Sequence, residues 1–380
     1  MRGVGLEEVL PRVLEIVGDV RGRGDDALLD WTERLDGARP ELRVPSEQLG
    51  TARLDDDVLR AVRELVRAVT AFCRPQRPPD TEVEVVPGIR AGRRWLPLSS
   101  VGVYVPGGRA AYPSSLVMAA VPALVAGVER IAVVSPRPSD ATLATARELG
   151  LDEVYAVGGA QAVAALAYGT ETIAPVDKIV GPGNRYVTAA KLLVSSHVAI
   201  DLPAGPSEVI VIADSSADPG QCAADLLAQA EHGPDSEALL LSLDPALSEA
   251  VSALVAGHAN VAVEEMGSLD EALARSEAYA PEHLELWIEG ADEVALRVRN
   301  AGTVFVRTSA VVGDYAAGAT HVLPTGGLAR GCGGLGLETF LKPLQLVRAS
   351  ADGVDRAREI VLPLARAEGL PLHAAALDRR

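Results

Sequence analysis

Short runs of β-branched and other apolar residues alternate with helical segments through the middle of this chain, and that alternation limits its fold more than any other feature. RIAVVSP at 130–136 is followed by the helical SDATLATARELG, and DKIVGPGN at 177–184 is followed by RYVTAAKLLVSS. A similar series begins with EVIVIAD at 208–214. Strands that alternate with helices in this way form parallel sheets covered on both faces. The sequence therefore predicts an α/β fold with two doubly wound modules, at 101–205 and 206–310.

Helical segments and a strand-rich stretch flank these modules. Residues 1–72 carry apolar side chains at three- and four-residue spacing, which is typical of amphipathic helices. RPQRPPD at 74–80 is a proline-rich connector, and residues 81–108 alternate like strands. The C-terminal stretch again has helical spacing. We therefore expect small helical segments at both ends of the chain.

The chain is strongly acidic, with a formal net charge of −17, and such a surface repels phosphate backbones and anionic lipids. Its longest apolar stretch, 116–128, contains Pro122 and Gly127 and is too short to span a bilayer. The cysteines form no C-x-x-C pair, and the N-terminal residues lack the apolar core of a signal peptide. We expect a cytoplasmic protein that binds neither nucleic acid nor membrane.

Two stretches match the residue pattern of the glycine fingerprint of dinucleotide-binding loops, but not the strand-to-helix context that the fingerprint requires. GCGGLG at 331–336 has the G-x-G-x-x-G spacing, but no predicted strand precedes it. GRGDDA at 22–27 lies between helical segments. Both are interpreted as surface turns.

Three other glycine turns follow predicted strands, where α/β sheets bind ligands. They are VYVPGG at 103–108, VGGAQ at 157–161 and VGPGN at 180–184. Glycine lets a ligand approach the backbone, and the following helix N-terminus favours an anion. Each turn alone has an ordinary structural explanation, but three in one sheet predict a ligand cleft. Side chains that can stack on a ligand or hydrogen-bond to it stand beside these turns: Tyr104, Gln161 and Asn184.

The histidines supply candidate catalytic and metal-binding groups. Gln229 and His232 share one face of a predicted helix end and are half of an acceptable zinc site, although a histidine there is also a common helix cap. His197 and His258 have no acidic neighbour and are interpreted as structural. The other histidines each have an acid nearby, in the pairs Glu282 with His283, Asp314 with His321, and Glu368 with His373. Four histidines with such neighbours predict one polar site with a metal, an acid and a base.

Several longer stretches carry a resemblance to a known family. They are VGVYVPGG, YPSSLVMAAVPALVAGV, VYAVGGAQAVAALAYGT, DKIVGPGN, AIDLPAGPSEVIVIAD, ADLLAQAEHGP, APEHLEL, GDYAAGATHVLPTGG and EGLPLHAAAL. In this order they resemble histidinol dehydrogenases, closely over 83–380 and more loosely over 1–72. The resemblance implies two Rossmann-like doubly wound domains with incomplete dinucleotide fingerprints, plus small helical terminal segments.

The resemblance also implies a role for each polar residue singled out above. The catalytic pair falls on Glu282 and His283. One zinc ion per subunit would be held by Gln229, His232, Asp314 and His373. Substrate contacts would fall on those four ligands and on His283, Ser207, His321 and Glu368. NAD contacts would fall on Tyr104, Gln161 and Asn184.

A homodimer with shared active sites is implied as well, in which His373 completes the zinc site of the partner subunit. The implied first Rossmann-like domain comprises 1–102 and 206–335, and the second comprises 103–205. Residues 336–380 would form a C-terminal helical segment that docks on the partner.

The implied reaction is the oxidation of L-histidinol to L-histidine through L-histidinaldehyde, with two hydride transfers to NAD, at the end of histidine biosynthesis. The chain departs from the family pattern after 245–257, where a longer helical segment is usual, and at 330–336. These departures leave a related zinc- and NAD-dependent dehydrogenase of another alcohol, such as a sulfonated diol, as the alternative. A zinc hydrolase is disfavoured because no H-E-x-x-H stretch occurs.

Overall fold

The computed structural model describes residues 6–107, 112–203 and 205–378. The glycine turn predicted at 103–108 ends on Gly108, which lies outside the described residues. The predicted terminal segments include residues 1–5 and 379–380, which also lie outside them.

Amphipathic helices form the N-terminal part of the chain, as predicted. The buried residues of the first helix include Val9, Val13, Ile16 and Val20, which recur every three or four positions on one face. The helices are α1 (Leu6–Arg23), α2 (Asp25–Asp36), α3 (Ser46–Thr51) and α4 (Asp56–Cys73), and a 3-10 turn follows at Arg74–Gln76.

A hairpin of two antiparallel strands, β1 (Thr81–Val86) and β2 (Ile89–Pro97), follows the proline-rich connector. Gly88 in its turn has a φ of +85°, and a Cβ there would lie 2.9 Å from the Cα of Gly353. The turn therefore requires glycine, both for its left-handed backbone and for this close approach.

The first parallel sheet has the spatial order β5-β4-β3-β6-β7. Its strands are β3 (Ser100–Tyr104), β4 (Arg130–Val134), β5 (Val154–Tyr155), β6 (Lys178–Val180) and β7 (Ala199–Ile200). The helices between them are α5 (Pro113–Ala126), α6 (Asp140–Glu148), α7 (Gly159–Tyr168) and α8 (Arg185–Val194).

The second parallel sheet repeats this arrangement with the spatial order β10-β9-β8-β11-β12. Its strands are β8 (Glu208–Ala213), β9 (Glu237–Ser242), β10 (Val261–Glu265), β11 (His283–Trp287) and β12 (Thr303–Val306). The accompanying helices are α9 (Pro219–Ala230), α10 (Pro245–Leu254), α11 (Leu269–Tyr279), α12 (Ala291–Ala295) and α13 (Ala310–Tyr315).

The C-terminal part returns to the hairpin. After 3-10 turns at Leu328–Arg330 and Leu337–Phe340, strand β13 (Leu341–Ala349) pairs antiparallel with β2. Helices α14 (Ala351–Ala367) and α15 (Pro371–Asp378) follow. Within the described residues, no helix is long and apolar enough to cross a membrane.

The predicted α/β fold with two doubly wound modules is confirmed. In each sheet the chain starts at the central strand, moves outward to one edge, and then crosses back to build the other half. Every residue of the central strand β8 is buried, as is typical of a parallel strand covered on both faces. The look-alike glycine stretch at 331–336 lies between two 3-10 turns and follows no strand.

The N-terminal helices pack on the first parallel sheet. The apolar face of α1 joins one core cluster with α7 and α8, and that of α4 joins another with α5. The predicted grouping of 1–102 with 206–335 differs from this packing, because those apolar faces are buried against the module at 103–205. The domain division stays a prediction.

Candidate active site

The predicted catalytic pair lies where β11 begins. His283 is the first residue of this strand and Glu282 precedes it. His283 pairs with Val209 of β8 on one side and with Thr303 of β12 on the other. The pair therefore lies at the amino ends of the strands of the second sheet, whereas the glycine turns follow the carboxyl ends of the first.

A contact between side chains of the two modules shows that these two edges lie next to each other. The Oγ atom of Ser115, in the first turn of α5, lies 3.3 Å from Nε2 of His321. Helix α5 follows the carboxyl end of β3, and His321 belongs to the loop after α13. The candidate site thus lies between the carboxyl edge of the first sheet and the amino edge of the second.

An unusual backbone turn delivers the catalytic pair. Ala280 ends α11 in the left-handed region with a φ of 57°, which is uncommon for a residue with a side chain. Pro281 then prevents the helix from continuing. A Cβ at Gly302 would lie 2.6 Å from the carbonyl oxygen of Glu282, so the start of β12 passes close behind the pair.

Glu282 and His283 are both buried, at 5% and 3% exposure. The Oε2 atom of Glu282 lies 3.9 Å from Nδ1 of His283 and accepts a hydrogen bond of 2.9 Å from the backbone N–H of Glu208. Burial, together with the charges of Glu208 and Asp314, raises the pKa of Glu282 well above its usual value. Burial lowers the pKa of His283 to about 3. The imidazole is therefore neutral, and the protonated form of Glu282 is favoured.

Helix α9 presents the predicted Gln–His metal pair at its carboxyl end. The helix ends at Ala230, so His232 lies just beyond it, and its backbone N–H donates to the carbonyl oxygen of Gln229 at 3.2 Å. The Gln229 side chain is buried, and within the described part of the chain its Nε2 atom has no hydrogen-bond partner. Desolvation lowers the pKa of His232, which favours a neutral ring.

Asp314 and His321 approach the same place from α13 and the loop after it. His321 Nδ1 lies 3.3 Å from the backbone oxygen of Asp314 and 4.0 Å from its Oδ1 atom. Burial raises the pKa of Asp314 to about 6. It lowers the pKa of His321 to about 4, so this ring is also neutral at physiological pH.

One acid of the site was missed from the sequence. Glu208 begins β8, is 6% exposed, and accepts a hydrogen bond of 3.0 Å at Oε1 from the backbone N–H of Gly326. The predicted substrate residue Ser207 precedes it and hydrogen-bonds to Glu282. The only local signal was an acid directly after Ser207 at the start of a strand, which is too common to single out.

The donors on this chain suit a cation such as zinc, but they are incomplete. Across 6–107, 112–203 and 205–378, no three His, Cys, Asp or Glu side chains are close enough to hold a metal. Gln229 offers a buried amide whose oxygen could bind a cation, His232 a ring whose neutral form is favoured, and Asp314 a carboxylate whose burial a cation would offset. These three groups fit a zinc site that still lacks a ligand.

The remaining two predicted residues are not buried with this group. Glu368 is the residue after α14, and His373 lies in α15; both are exposed. The structure of one chain thus gathers Ser207, Gln229, His232, Glu282, His283, Asp314 and His321 around one edge, and leaves the C-terminal pair on the surface.

The three residues predicted to contact a dinucleotide all stand at the carboxyl edge of the first sheet. Tyr104 ends β3, is buried, and its hydroxyl oxygen accepts the backbone N–H of Gly159 at 3.1 Å. The amide oxygen of Gln161 in α7 is buried and has no partner among the described residues. Asn184 caps α8 by accepting the backbone N–H groups of the second and third helical residues, so its side chain already has a structural role.

The glycine turns at this edge let the backbones come close together. Gly181 has a φ of +109°, and any side chain there would collide with the carbonyl oxygen of Tyr104. A Cβ at Gly158 would lie 2.6 Å from the ring of Pro136. Turns this tight, beside the N-termini of α7 and α8 and an unpartnered amide oxygen, fit the pyrophosphate and polar groups of a dinucleotide.

The raised pKa of Asp314 has a measurable consequence for stability. We expect Asp314→Asn to stabilise the chelator-treated protein at pH 7.5 by up to roughly 3 kcal/mol. Above about pH 6, Asp314 is ionised in the folded protein, and its burial lowers the free energy of unfolding. Below its ordinary pKa of 3.8, Asp314 is protonated in both the folded and the unfolded protein, so this destabilisation disappears. The stability gain should therefore shrink as the pH falls from 6 to 3.8, which urea unfolding at several pH values would measure. An equal gain at pH 4 and pH 7.5 would rule out this explanation.

Known proteins were compared with this chain over its whole length. A family model described as histidinol dehydrogenase matches residues 2–380. Histidinol dehydrogenase from Methanothermobacter thermautotrophicus is 44% identical over 402 aligned positions, which cover 99% of this chain and 94% of the relative. The enzyme of that name from Methanosarcina mazei is 42% identical, with 100% of this chain and 93% of the relative covered.

A solved structure agrees with the sequence relatives. The crystal structure of histidinol dehydrogenase from Elizabethkingia anophelis superposes with a TM-score of 0.93 at 34% identity, covering 97% of this chain and 91% of that one. A putative aldehyde dehydrogenase from Burkholderia cenocepacia, at 16% identity and a TM-score of 0.53, shares the fold alone.

Proposed function

The chain belongs to the histidinol dehydrogenase family, an oxidoreductase family of histidine biosynthesis, and on that premise we propose that it oxidises L-histidinol to L-histidine through L-histidinaldehyde. The proposal includes NAD as the hydride acceptor and one zinc ion per subunit. The observation that carries it is the buried Glu282–His283 pair, whose side chains lie 3.9 Å apart and whose imidazole is held neutral by burial. Two such groups meet the need for an acid and a base at one reacting carbon.

His283 is the proposed base of both oxidations. An alcohol must lose its hydroxyl proton as hydride leaves the adjacent carbon, and a neutral imidazole can accept that proton. His283 is held in place by β11 and by the Phe305 ring, whose centroid lies 5.7 Å away. When NAD is bound, its nicotinamide ring supplies the hydride acceptor.

Glu282 is the proposed group that activates water for the second oxidation. The aldehyde must first add water, and a carboxylate next to His283 can take a proton from that water. Burial, reinforced by the charges of Glu208 and Asp314, raises the pKa of Glu282 and so favours its protonated form before substrate binds. A bound amino alcohol carries a positive charge, which lowers the pKa of Glu282 and releases its proton.

The acid-rich pocket also supports the choice of substrate. At the buried edge of the second sheet, the charges of Glu208 and Asp314 both oppose ionisation of Glu282. A cationic amino alcohol relieves that repulsion, whereas an anionic sulfonate adds to it. The buried acids therefore favour histidinol over a sulfonated diol.

Gln229, His232 and Asp314 are the proposed zinc ligands of this chain, with His373 supplied by a second copy. Zinc, when bound, would orient the substrate and offset the charge of the surrounding carboxylates. Burial prepares the protein groups for this task, because it favours the neutral ring of His232 and leaves Nε2 of Gln229 without a hydrogen-bond partner among the described residues. Tyr104, Gln161 and Asn184 are the proposed NAD contacts at the opposite edge, and Ser207, His321 and Glu368 the further substrate contacts.

Exposed apolar side chains support a homodimer. Around Asp314, three large residues of α13 are exposed: Val311, Val312 and Tyr315. On the C-terminal helices, Ile360, Leu364 and Leu372 are exposed, the last at 80%. Apolar patches of this kind mark interfaces. We assign the tail of each subunit to the α13 surface of the other, which would bring His373 to the incomplete metal site.

An activity assay tests the proposed function. The protein should reduce two NAD per L-histidinol consumed, because converting a primary alcohol to a carboxylate removes two hydrides. It should be inactive with a sulfonated propanediol, and dialysis against a chelator should remove the activity until Zn²⁺ is restored. NADH absorbance follows all three. Turnover of the diol but not of histidinol would support the alternative dehydrogenase instead.

The strongly acidic chain, with a net charge of −17, is proposed to act in the cytoplasm without nucleic-acid or membrane partners.

A further inference from the structure

A buried acid lies directly behind the catalytic pair. Glu285 is two residues after His283 on β11, so both side chains point to the same face of the sheet. Glu285 is completely buried. Its Oε1 atom accepts the backbone N–H of Ala310 at 2.6 Å, and its Oε2 atom accepts the indole N–H of Trp287 at 2.9 Å.

A second acid faces Glu285 from α9. Asp225 hydrogen-bonds to Glu285, and its Oδ1 atom accepts the hydroxyl of Ser309 at 2.6 Å. Burial, followed by the charge of Asp225, raises the pKa of Glu285 to about 8. The protonated form of Glu285 is therefore favoured, and it can donate a hydrogen bond to Asp225.

The hydrogen bonds of this pair reach three elements, and each element carries residues of the proposed site. Asp225 lies one turn before Gln229 on α9, and Glu285 lies on β11 just after His283. Ser309 caps α13, whose fifth residue is Asp314. Neither acid of the pair has an assigned part in binding or proton transfer. Their shared bonds link the three elements that carry the metal pair, the catalytic base and the metal carboxylate.

We propose that Glu285 and Asp225 form a positioning pair that holds β11, α9 and α13 in the arrangement the active site needs. The inference rests on the proposed function, because it concerns how that site is assembled. Partners that orient metal ligands typically contribute about 10- to 100-fold to metal affinity or activity when they are replaced. The pair acts on the reaction only through the residues it positions.

Two isosteric variants separate this role from a general need for a buried acid. In Asp225→Asn, the amide hydrogen-bonds to Glu285 through one of its two polar atoms and to Ser309 through the other, so both side-chain contacts of residue 225 are kept. In Glu285→Gln, the amide nitrogen replaces one of the two accepting oxygens. The amide N–H₂ group of this variant therefore opposes the N–H of either Ala310 or Trp287. Two donors then face each other, and one buried donor has no acceptor.

The test measures the affinity of each variant for Zn²⁺ by competition with a chromogenic chelator, together with kcat, the KM for NAD and the melting temperature. We expect Glu285→Gln to lose about 10- to 100-fold in Zn²⁺ affinity and in kcat. Asp225→Asn should stay within about threefold of the wild type, since its hydrogen bonds are intact. The KM for NAD should not change, because the proposed NAD edge belongs to the other sheet.

The outcomes decide separately on the pair and on the proposed function. Equal behaviour of the two variants, or a lower melting temperature of Glu285→Gln with normal Zn²⁺ affinity and kcat, would overturn the positioning role. If the wild type binds no Zn²⁺, the metal part of the proposed function is wrong and the kcat comparison alone judges the pair. If Glu285→Gln does not fold, adding Trp287→Phe removes the indole donor. Recovery of Zn²⁺ affinity in that double variant would support the positioning role of the pair. A folded double variant whose Zn²⁺ affinity is still about 100-fold or more below that of the wild type would contradict it.

Discussion

Replacing His283 with alanine should lower the turnover of L-histidinol by about 10²- to 10⁴-fold, the usual contribution of a general base. The zinc content should remain close to one ion per subunit, because His283 is assigned to proton transfer and not to metal binding. Its ring is held neutral by burial, with a pKa of about 3, so it is present in the form that can accept a proton. Steady-state kinetics and metal analysis of the same preparation would measure both effects.

A matched control separates catalysis from folding in that experiment. Removing a ring that is 3% exposed and packs beside Phe305 will also cost some stability. The His258→Ala control removes an exposed histidine after α10 and should leave turnover unchanged. Near-normal turnover of a folded His283→Ala protein would exclude His283 as the base.

The neighbouring acid should show a different pattern. Glu282→Gln keeps the size of the side chain and removes its proton exchange, so we expect the oxidation of L-histidinaldehyde to slow more than the oxidation of L-histidinol. Supplying the aldehyde directly separates the two halves. An equal loss in both would mean that Glu282 does not act mainly on water.

Two inactive variants should restore activity when they are combined in one dimer. Asp314→Ala and His373→Ala are each expected to be inactive, since each removes a proposed zinc ligand. His373 lies in the exposed C-terminal helix α15, while Asp314 lies at the buried edge of the second sheet. If the tail of one subunit completes the site of the other, a mixed dimer contains one site with neither substitution. Random mixing should therefore recover activity in up to about a quarter of all sites.

The control for this experiment combines two ligands from the same chain. Asp314→Ala mixed with Gln229→Ala should recover nothing, because in every dimer each site lacks one of the two ligands. Differently tagged chains would show that mixed dimers have formed. Recovery in both mixtures, or in neither despite proven mixing, would contradict a site shared between subunits.

Local spacing was enough to predict the main architecture and several members of the site. The alternation of strands and helices follows from local patterns of apolar residues, so two doubly wound modules could be predicted without knowledge of any tertiary contact. Glycine turns such as the one at Gly181 could be predicted because a left-handed backbone and a close approach both select glycine. Glu282 and His283 stood out because a rare histidine lies directly after an acid and a proline.

Tertiary structure decided how these local elements combine. No spacing rule shows that α1 and α4 pack on the first sheet, because an amphipathic face does not specify its partner. The pKa values of the site depend on burial and on charges that are distant in sequence. The pKa of Glu282 is raised by burial and by Glu208 and Asp314, and that of His283 is lowered by burial and by His321, so neither shift could be read from local sequence. Glu285 and Asp225 looked like ordinary residues of a strand and a helix. The sequence by itself determined the elements and the chemistry they carry, and packing determined which groups meet, because burial and Coulomb interactions depend on distances in the folded chain.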